Sequence, residues 1–258
     1  RSLVDFLLGR TKAWGVAAKY ESLSQDKQRN VVIYILQLVV TTVALSMQIA
    51  GGVDVFFQMK ESTTESRFNL MLLSTQVIFI LYIWELIYRL TIGFPLLIHH
   101  LMTCLIGQLF ALSLFDTFSV HYVRLALIML LYATTEQSSF VALLVYRLDL
   151  LSKKSQRNLF TLAAVQSFLF KSAIAIFAMV YFCVVFLAKG EADNQPTNWN
   201  WFWKIAFIPL LLMLFAAQIY SSSILWQLRR KCLQKELDCS RPSVDASTSD
   251  DSIEFMEV

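Results

Sequence analysis

Two adjacent imidazoles, His99 and His100, sit in Pro95-Leu96-Leu97-Ile98-His99-His100-Leu101-Met102-Thr103-Cys104-Leu105, near the start of an apolar run long enough to cross a bilayer. Polar groups at such a depth are costly unless they face a protein interior or a water-filled cavity, so the pair marks a candidate site. A neutral imidazole there could act as a general base toward an amine, or as a nucleophile carrying an acyl group as an acyl-imidazole. Consecutive side chains on a helix diverge by about 100°. The sequence therefore predicts that only one of the two histidines faces the site squarely. Counting i+3, i+4, i+7 and i+8 from His100 gives Thr103, Cys104, Gly107 and Gln108, a small and polar stripe suited to a protein-facing or wet surface. Such a stripe could also do no more than join helices by hydrogen bonds, with Gly107 permitting close approach.

The acidic residues offer partners. Gly93-Phe94-Pro95 leaves almost no loop between two apolar runs, so these must pack antiparallel. Glu85 lies eight residues before Gly93 and His100 seven after it, which puts both about 10–12 Å from the turn at about 1.5 Å per residue. Glu85 could orient the imidazole, or pair with Arg89 at i+4, or both. Glu136, eleven residues before Arg147, and Lys171, fourteen after Arg157, fall at depths of roughly 16 and 21 Å and are expected to pair. Tyr132, Glu136 and Ser139 share one face of a continuous helix. That face is either a structural ion-pair surface or the lining of a substrate cavity. The candidate catalytic set is thus His99, His100 and Glu85, and the candidate substrate-binding set is Thr103, Gln108, Tyr132, Glu136, Ser139 and Lys171.

The elements that must position these groups follow from composition. With 57% hydrophobic residues, 16% charged residues and 20 Phe, and a mean hydropathy of +0.56, the chain is too apolar for an ordinary soluble domain. About 17–25 apolar residues span the hydrocarbon core. Six such stretches appear, Val31–Gly51, Asn69–Ile92, Pro95–Phe115, His121–Tyr146, Leu159–Leu187 and Phe202–Trp226. The expected fold is an all-α polytopic bundle of about six transmembrane helices. Fourteen basic residues flank one side of this pattern and five the other, which predicts cytosolic termini and assigns the net charge of +3 to topology rather than to nucleic acid.

Residues 1–30 are expected to form a cytosolic or interfacial segment, 31–228 the six-span domain, and 229–258 a basic-then-acidic disordered tail open to phosphorylation. The chain begins at Arg1 rather than Met, which leaves room for residues upstream, and Ser2 to Leu8 is too short to span. No cleavable signal peptide is apparent, so the first span is expected to act as the targeting signal. Trp199, Trp201 and Trp203 are expected to form an interfacial belt. Four cysteines without paired spacing suggest neither a metal site nor a disulfide framework, and Cys232 beside Arg229-Arg230-Lys231 is either an inert thiol or a palmitoylation site.

Other lipid chemistries can be tested by counting. Three histidines, His99, His100 and His121, are too few for the di-iron centre of membrane desaturases, so no metal is expected. An elongase element would need histidine where Leu96 stands, and no phosphate loop, Gly-x-Ser-x-Gly elbow or zinc-protease motif occurs.

Lys19-Tyr20-Glu21-Ser22-Leu23 ahead of the first span, His99-His100-x-x-Thr103, and Glu136-Gln137-Ser138-Ser139-Phe140 late in the fourth span resemble the TLC-domain family of ceramide synthases and their relatives. The likeness covers roughly Lys19 to Arg230, and the His-His-x-x-Thr element is its most specific part. It implies a helical membrane fold with a cavity, often in the endoplasmic reticulum. For ceramide synthases it implies acyl transfer from acyl-CoA to a sphingoid base at the paired histidines, with no bound cofactor. Ceramide synthases carry a paired-aspartate motif downstream, whereas Arg124 to Arg147 contains no Asp. That departure moves the chain toward the less characterised members. The function that the resemblance implies is acyl-CoA-dependent N-acylation of a lipid amine, and the departure counts against it. The alternatives are a non-catalytic lipid binder, transporter or membrane-composition regulator using the same cavity, and a partner of the translocation machinery.

Overall fold

The computed structural model describes residues 16–57, 65–89, 92–117, 120–188 and 198–240. Expectations for residues 1–15, for Lys60, for the segment from Lys189 to Pro196 and for the polar end after Ser240 fall outside these, as do the side chains of Arg67 and Trp199. The described residues form helices α1 (Val16–Glu21), α2 (Gln25–Phe57), α3 (Glu65–Tyr88), α4 (Phe94–Thr117), α5 (Val120–Thr134), α6 (Gln137–Arg147), α7 (Lys153–Phe182), a π-helical extension (Cys183–Ala188) and α8 (Asn198–Ser240). Six spans are long and apolar enough to cross a membrane: Gln25–Gly52, Asn69–Tyr88, Phe94–Ser113, His121–Arg147, Lys153–Leu187 and Trp201–Asp238. The protein is an all-α, multi-pass membrane bundle. A bilayer offers no partner to a bare amide, so the spans close their backbone hydrogen bonds as helices, and the one break among the described spans needs side-chain partners. Outward faces carry exposed Ile80, Ile87, Leu162, Leu169, Ile176 and Ile205, as a lipid-facing surface requires.

Helix α2 packs on α3, α5 and α6, while α7 packs on α5, α6 and α8; α4 touches α3, α5 and α8. The bundle is pinned at one end by stacked rings. Trp203 is fully buried and lies 4.2 Å from Phe110 at 17°, and Phe182 stacks on Phe207 at 4.4 Å. Trp203 is therefore a core residue rather than part of a belt, whereas Trp201 is 71% exposed, with Lys204 over its ring. Two helical residues apart is about 200° of rotation, so the pair cannot share a face.

At the opposite, basic end small residues let helices close, with Ala142, Ala163 and Ala164 around Phe160, Leu225 and Cys232. The turn after α6 is a Schellman arrangement, Leu150 N–H donating to Val145 O and Asp149 N–H to Tyr146 O. Asp149 takes the left-handed conformation there, φ 46°, which a short polar side chain tolerates better than most. Hydrogen bonds from Lys153 and Gln156 hold its carboxyl below the usual carboxylate range. Helix α8 continues through Arg229 to Ser240, so residues 229–240, expected as the start of a disordered tail, are helical.

Candidate functional site

The fourth span is broken. Helix α5 ends at Thr134 and α6 begins at Gln137, with Glu136 at φ −114° and ψ 12°. A break within a span exposes backbone carbonyls that no water will satisfy. Here side chains satisfy them. Gln137 Nε2 donates to Thr134 O at 2.5 Å, and Tyr82 OH lies 3.5 Å from Ala133 O. A neighbouring helix braces the break. Gln48 on α2 accepts from Thr134 Oγ1 at 2.8 Å and donates to Ser74 Oγ at 2.9 Å. Across the break Glu136 and Ser139 line one cavity and Tyr132 does not, although Tyr132 and Glu136 both meet Lys171. Tyr132 turns to α8, its hydroxyl donating to Leu214 O at 3.0 Å.

Glu85 on α3 is completely buried and surrounded by donors. Arg89 reaches Oε1 with Nε at 2.8 Å, and Gln37 Nε2 reaches Oε2 at 2.5 Å. Arg89 is held in turn by Asn30 Oδ1 at 2.9 Å. His100 Nε2 lies 3.3 Å from Glu85 Oε2, near enough for an ion pair but not aligned for a hydrogen bond. So Glu85 meets both Arg89 and His100, the two partners its position allowed.

Lys171 on α7 forms an ion pair with Glu136, and its ammonium lies 4.8 Å from the centre of the Tyr132 ring. His99 lines the same cavity as Glu136. Tyr82 lies beside both rings, 4.5 Å from that of His100 and 6.4 Å from that of His99, while the two imidazoles are 5.6 Å apart.

Both histidines line one cavity of about 630 Å³, together with Glu85, Glu136, Ser139 and Gln218. Both rings thus reach it, and the expectation that one faces it more squarely than the other is unaffected. The 100° divergence holds, but α3 and the broken span approach α4 from different sides, and the cavity is wide enough to reach both rings. It runs to the basic end, where Lys27, Arg89, Arg147 and Lys231 line it. Tyr82 and His99 also border a second, narrow pocket of about 60 Å³ lined by Met71, Ile78, Phe79, Ile106 and Phe110. Thr103, Gln108 and Tyr132 lie on this apolar pocket rather than on the large cavity, while Lys171 lines neither and stands behind Glu136. Thr103 Oγ1 bonds the His99 carbonyl of its own helix at 2.8 Å. Gly107 is not a tight contact, since an added Cβ would stand 3.7 Å from Thr75; at Gly52 it would come 2.2 Å from Leu127.

Gln37, Asn30, Tyr82 and Gln48 were missed by sequence reasoning. Their signal was available, because lone amides in apolar spans seek partners. Among the described residues no group of three or more His, Cys, Asp and Glu is arranged to hold a metal ion. No protein-family model, curated protein or solved structure matches the chain.

Proposed function

We propose that this chain is a TLC-type membrane enzyme of lipid metabolism, transferring an acyl group from acyl-CoA to a sphingoid or similar lipid amine. The observation that carries the reading is the single cavity lined by two histidines of one helix and by two buried carboxylates, with His100 beside Glu85. His99, at the junction with the apolar pocket, attacks the thioester carbonyl; the carbon–sulfur bond breaks, the thiol of CoA leaves, and an acyl-imidazole forms. The lipid amine then attacks that acyl carbon, the carbon–nitrogen bond to His99 breaks, and His100 takes the amine proton through Nδ1 and passes it to the departing His99 nitrogen, its own Nε2 being turned to Glu85. The amide is released with both imidazoles restored. The basic cavity mouth faces the cytosol in this reading, with both termini on that side and residence in the endoplasmic reticulum.

A non-catalytic lipid binder is the second reading. It is favoured by the saturation of Glu85 by Arg89 and Gln37, which leaves its carboxylate weakly coupled to His100.

The test is intact-mass analysis of the purified protein after incubation with acyl-CoA, followed by assay of amide product with a sphingoid base. We expect a covalent adduct that His99→Ala abolishes, and a drop in turnover of about 10²–10⁴-fold in His100→Ala. Melting temperatures should stay near wild type, since Glu85 keeps Arg89 and Gln37. No adduct and no amide, with intact lipid co-purifying, would replace catalysis by binding.

A further inference from the structure

Most hydroxyls and amides within the spans are engaged by the fold itself. Thr41, Thr75 and Thr103 each donate to the carbonyl four residues back, and Gln48 and Gln218 tie helix to helix. On the wall of the large cavity this pattern fails three times. Gln37 from α2, His100 from α4 and Ser139 from α6 all line it. All three are more than nine-tenths buried, and each keeps at least one polar atom without a hydrogen-bond partner among the described residues. Ser138, Ser172 and Trp203 hold such atoms too, but none of them lines the cavity. Burial strips a polar atom of its water, so one left unbonded calls for a ligand, an ion or an ordered water. Here three helices bring such atoms to one space.

What each atom offers follows from its neighbours. Gln37 Nε2 donates to Glu85 Oε2 at 2.5 Å, and a carboxylate paired with Arg89 only accepts. The amide therefore cannot be turned over. Its free atom, Oε1, is an acceptor that only a donor can satisfy. Ser139 stands in the first turn of α6, where the carbonyl three residues back, Glu136 O, already takes the N–H groups of Ser139 and Phe140. Its hydroxyl thus keeps both of its capacities, and a neutral His100 imidazole adds one donor and one acceptor. Gln37 requires a donor, and Ser139 and His100 can each receive one. Around them Leu96, Phe140, Leu143 and Ile224 leave apolar wall, and a volume of about 630 Å³ lies in the range of small-molecule sites. Tyr220 and Ser221 line the cavity while also exposed on α8, which gives a membrane-borne molecule a lateral way in.

We infer that the cavity selects its lipid by the hydrogen-bond donors of the headgroup, with Gln37 Oε1 as the acceptor that reads them and Ser139 Oγ as a second contact. Glu85 then has a positioning role, because holding Nε2 turns Oε1 away from itself. A headgroup that carries no O–H or N–H leaves Oε1 buried and unpaired, and a site built around such a contact rejects the analogue that lacks it. The inference rests on the reading of the cavity as a lipid site and names the headgroup class, but it uses no step of the chemistry. A hydroxyl and an amine present Gln37 with the same donor.

The test uses the full chain, purified in a detergent whose headgroup has no O–H or N–H. Binding is measured by native mass spectrometry and thermal shift with two matched pairs of probes. One pair is a monoacylglycerol and its dimethyl ether; the other is a long-chain primary amine and its trimethylammonium counterpart, which keeps the charge and loses the donors. We expect at least one parent to bind about tenfold or more tighter than its methylated partner, and the pair that shows it identifies the donor as hydroxyl or amine. Gln37→Met keeps the side-chain length and removes the acceptor, and Ser139→Ala removes a hydroxyl that bonds nothing among the described residues. Each should lower the preference about 2–10-fold, Ser139→Ala with the unliganded melting temperature unchanged. Should Gln37→Met fail to fold, Ser139→Ala and the wild-type comparison still decide. Methylated probes binding as tightly as their parents would overturn the proposal, as would no binding by any probe, or a preference that neither substitution lowers. Donor-dependent binding without an acyl adduct or amide would leave it standing while removing the catalytic reading. Amide formation with equal binding within each pair would do the reverse.

Discussion

Glu85 and Glu136 are both carboxylates sunk within membrane spans, and they are neutralised in opposite ways. Glu85 lies on an unbroken helix and receives Arg89 from one turn away, Gln37 from α2 and the edge of His100 from α4. Glu136 stands at a helix break and relies for its charge on one distant lysine, Lys171, itself almost fully buried. The first cluster is redundant and partly local. The second depends on one tertiary contact between α7 and a joint that α2 braces. Redundancy fixes Glu85 itself in place, whereas the ion pair at Glu136 ties the shape of the cavity wall to the packing of α7.

This contrast is most directly broken by removing one charge from each cluster. Lys171→Ala leaves Glu136 without its counter-ion and should cost about 3–5 kcal/mol. Glu136→Ala should cost a comparable amount, and the double variant less than the sum, measured as a double-mutant cycle of unfolding in detergent. Additive losses would show that the two charges do not support one another. Arg89→Ala should cost less, about 1.5–3 kcal/mol, because Gln37 and His100 remain on Glu85. A loss equal to that of Lys171→Ala would remove the claim of redundancy.

A smaller effect probes the brace. Gln48→Leu removes the tie from α2 to the break, but the single Thr134 hydroxyl proton can turn to Leu130 O, and Ser74 keeps its bond to Ala44 O. We expect about 1 kcal/mol, with faster hydrogen exchange confined to residues 134–138. Unchanged exchange there would mean that the break holds itself.

The smallest effect lies outside the spans. The folded state holds the Asp149 carboxyl below its ordinary value, so its contribution is present above the unfolded pKa of about 4 and is lost as pH falls through the lower folded value. The side chain is 59% exposed, which limits the effect to about 0.3–0.5 kcal/mol for an i,i+4 pair. The stability difference between wild type and Asp149→Asn should shrink from pH 6 toward pH 3. A difference constant over that range would assign it to the left-handed turn and not to charge.

Much of the candidate site was legible because its logic is local. Arg89 at i+4 from Glu85, and the near-absence of a loop at Gly93-Phe94-Pro95, place Glu85 and His100 at one depth by arithmetic alone. The break at Thr135–Glu136 was not read, although Thr134-Thr135-Glu136-Gln137-Ser138-Ser139 is a polar run inside an apolar span whose hydroxyls and amide can satisfy the carbonyls a break exposes. Trp203 was misplaced because an aromatic near a span end has the same composition whether it faces lipid or core.

The sequence by itself determined that the chain crosses a membrane as helices, since apolar length and the need to close every backbone hydrogen bond admit little else. It also determined the depth of each polar group along its span, because the helical rise is fixed. Only the tertiary structure decided which groups share a cavity. Depth leaves rotation about each helix axis free, and that rotation is set by packing: Trp203 against Phe110, Gln48 against Thr134, and Lys171 against Glu136.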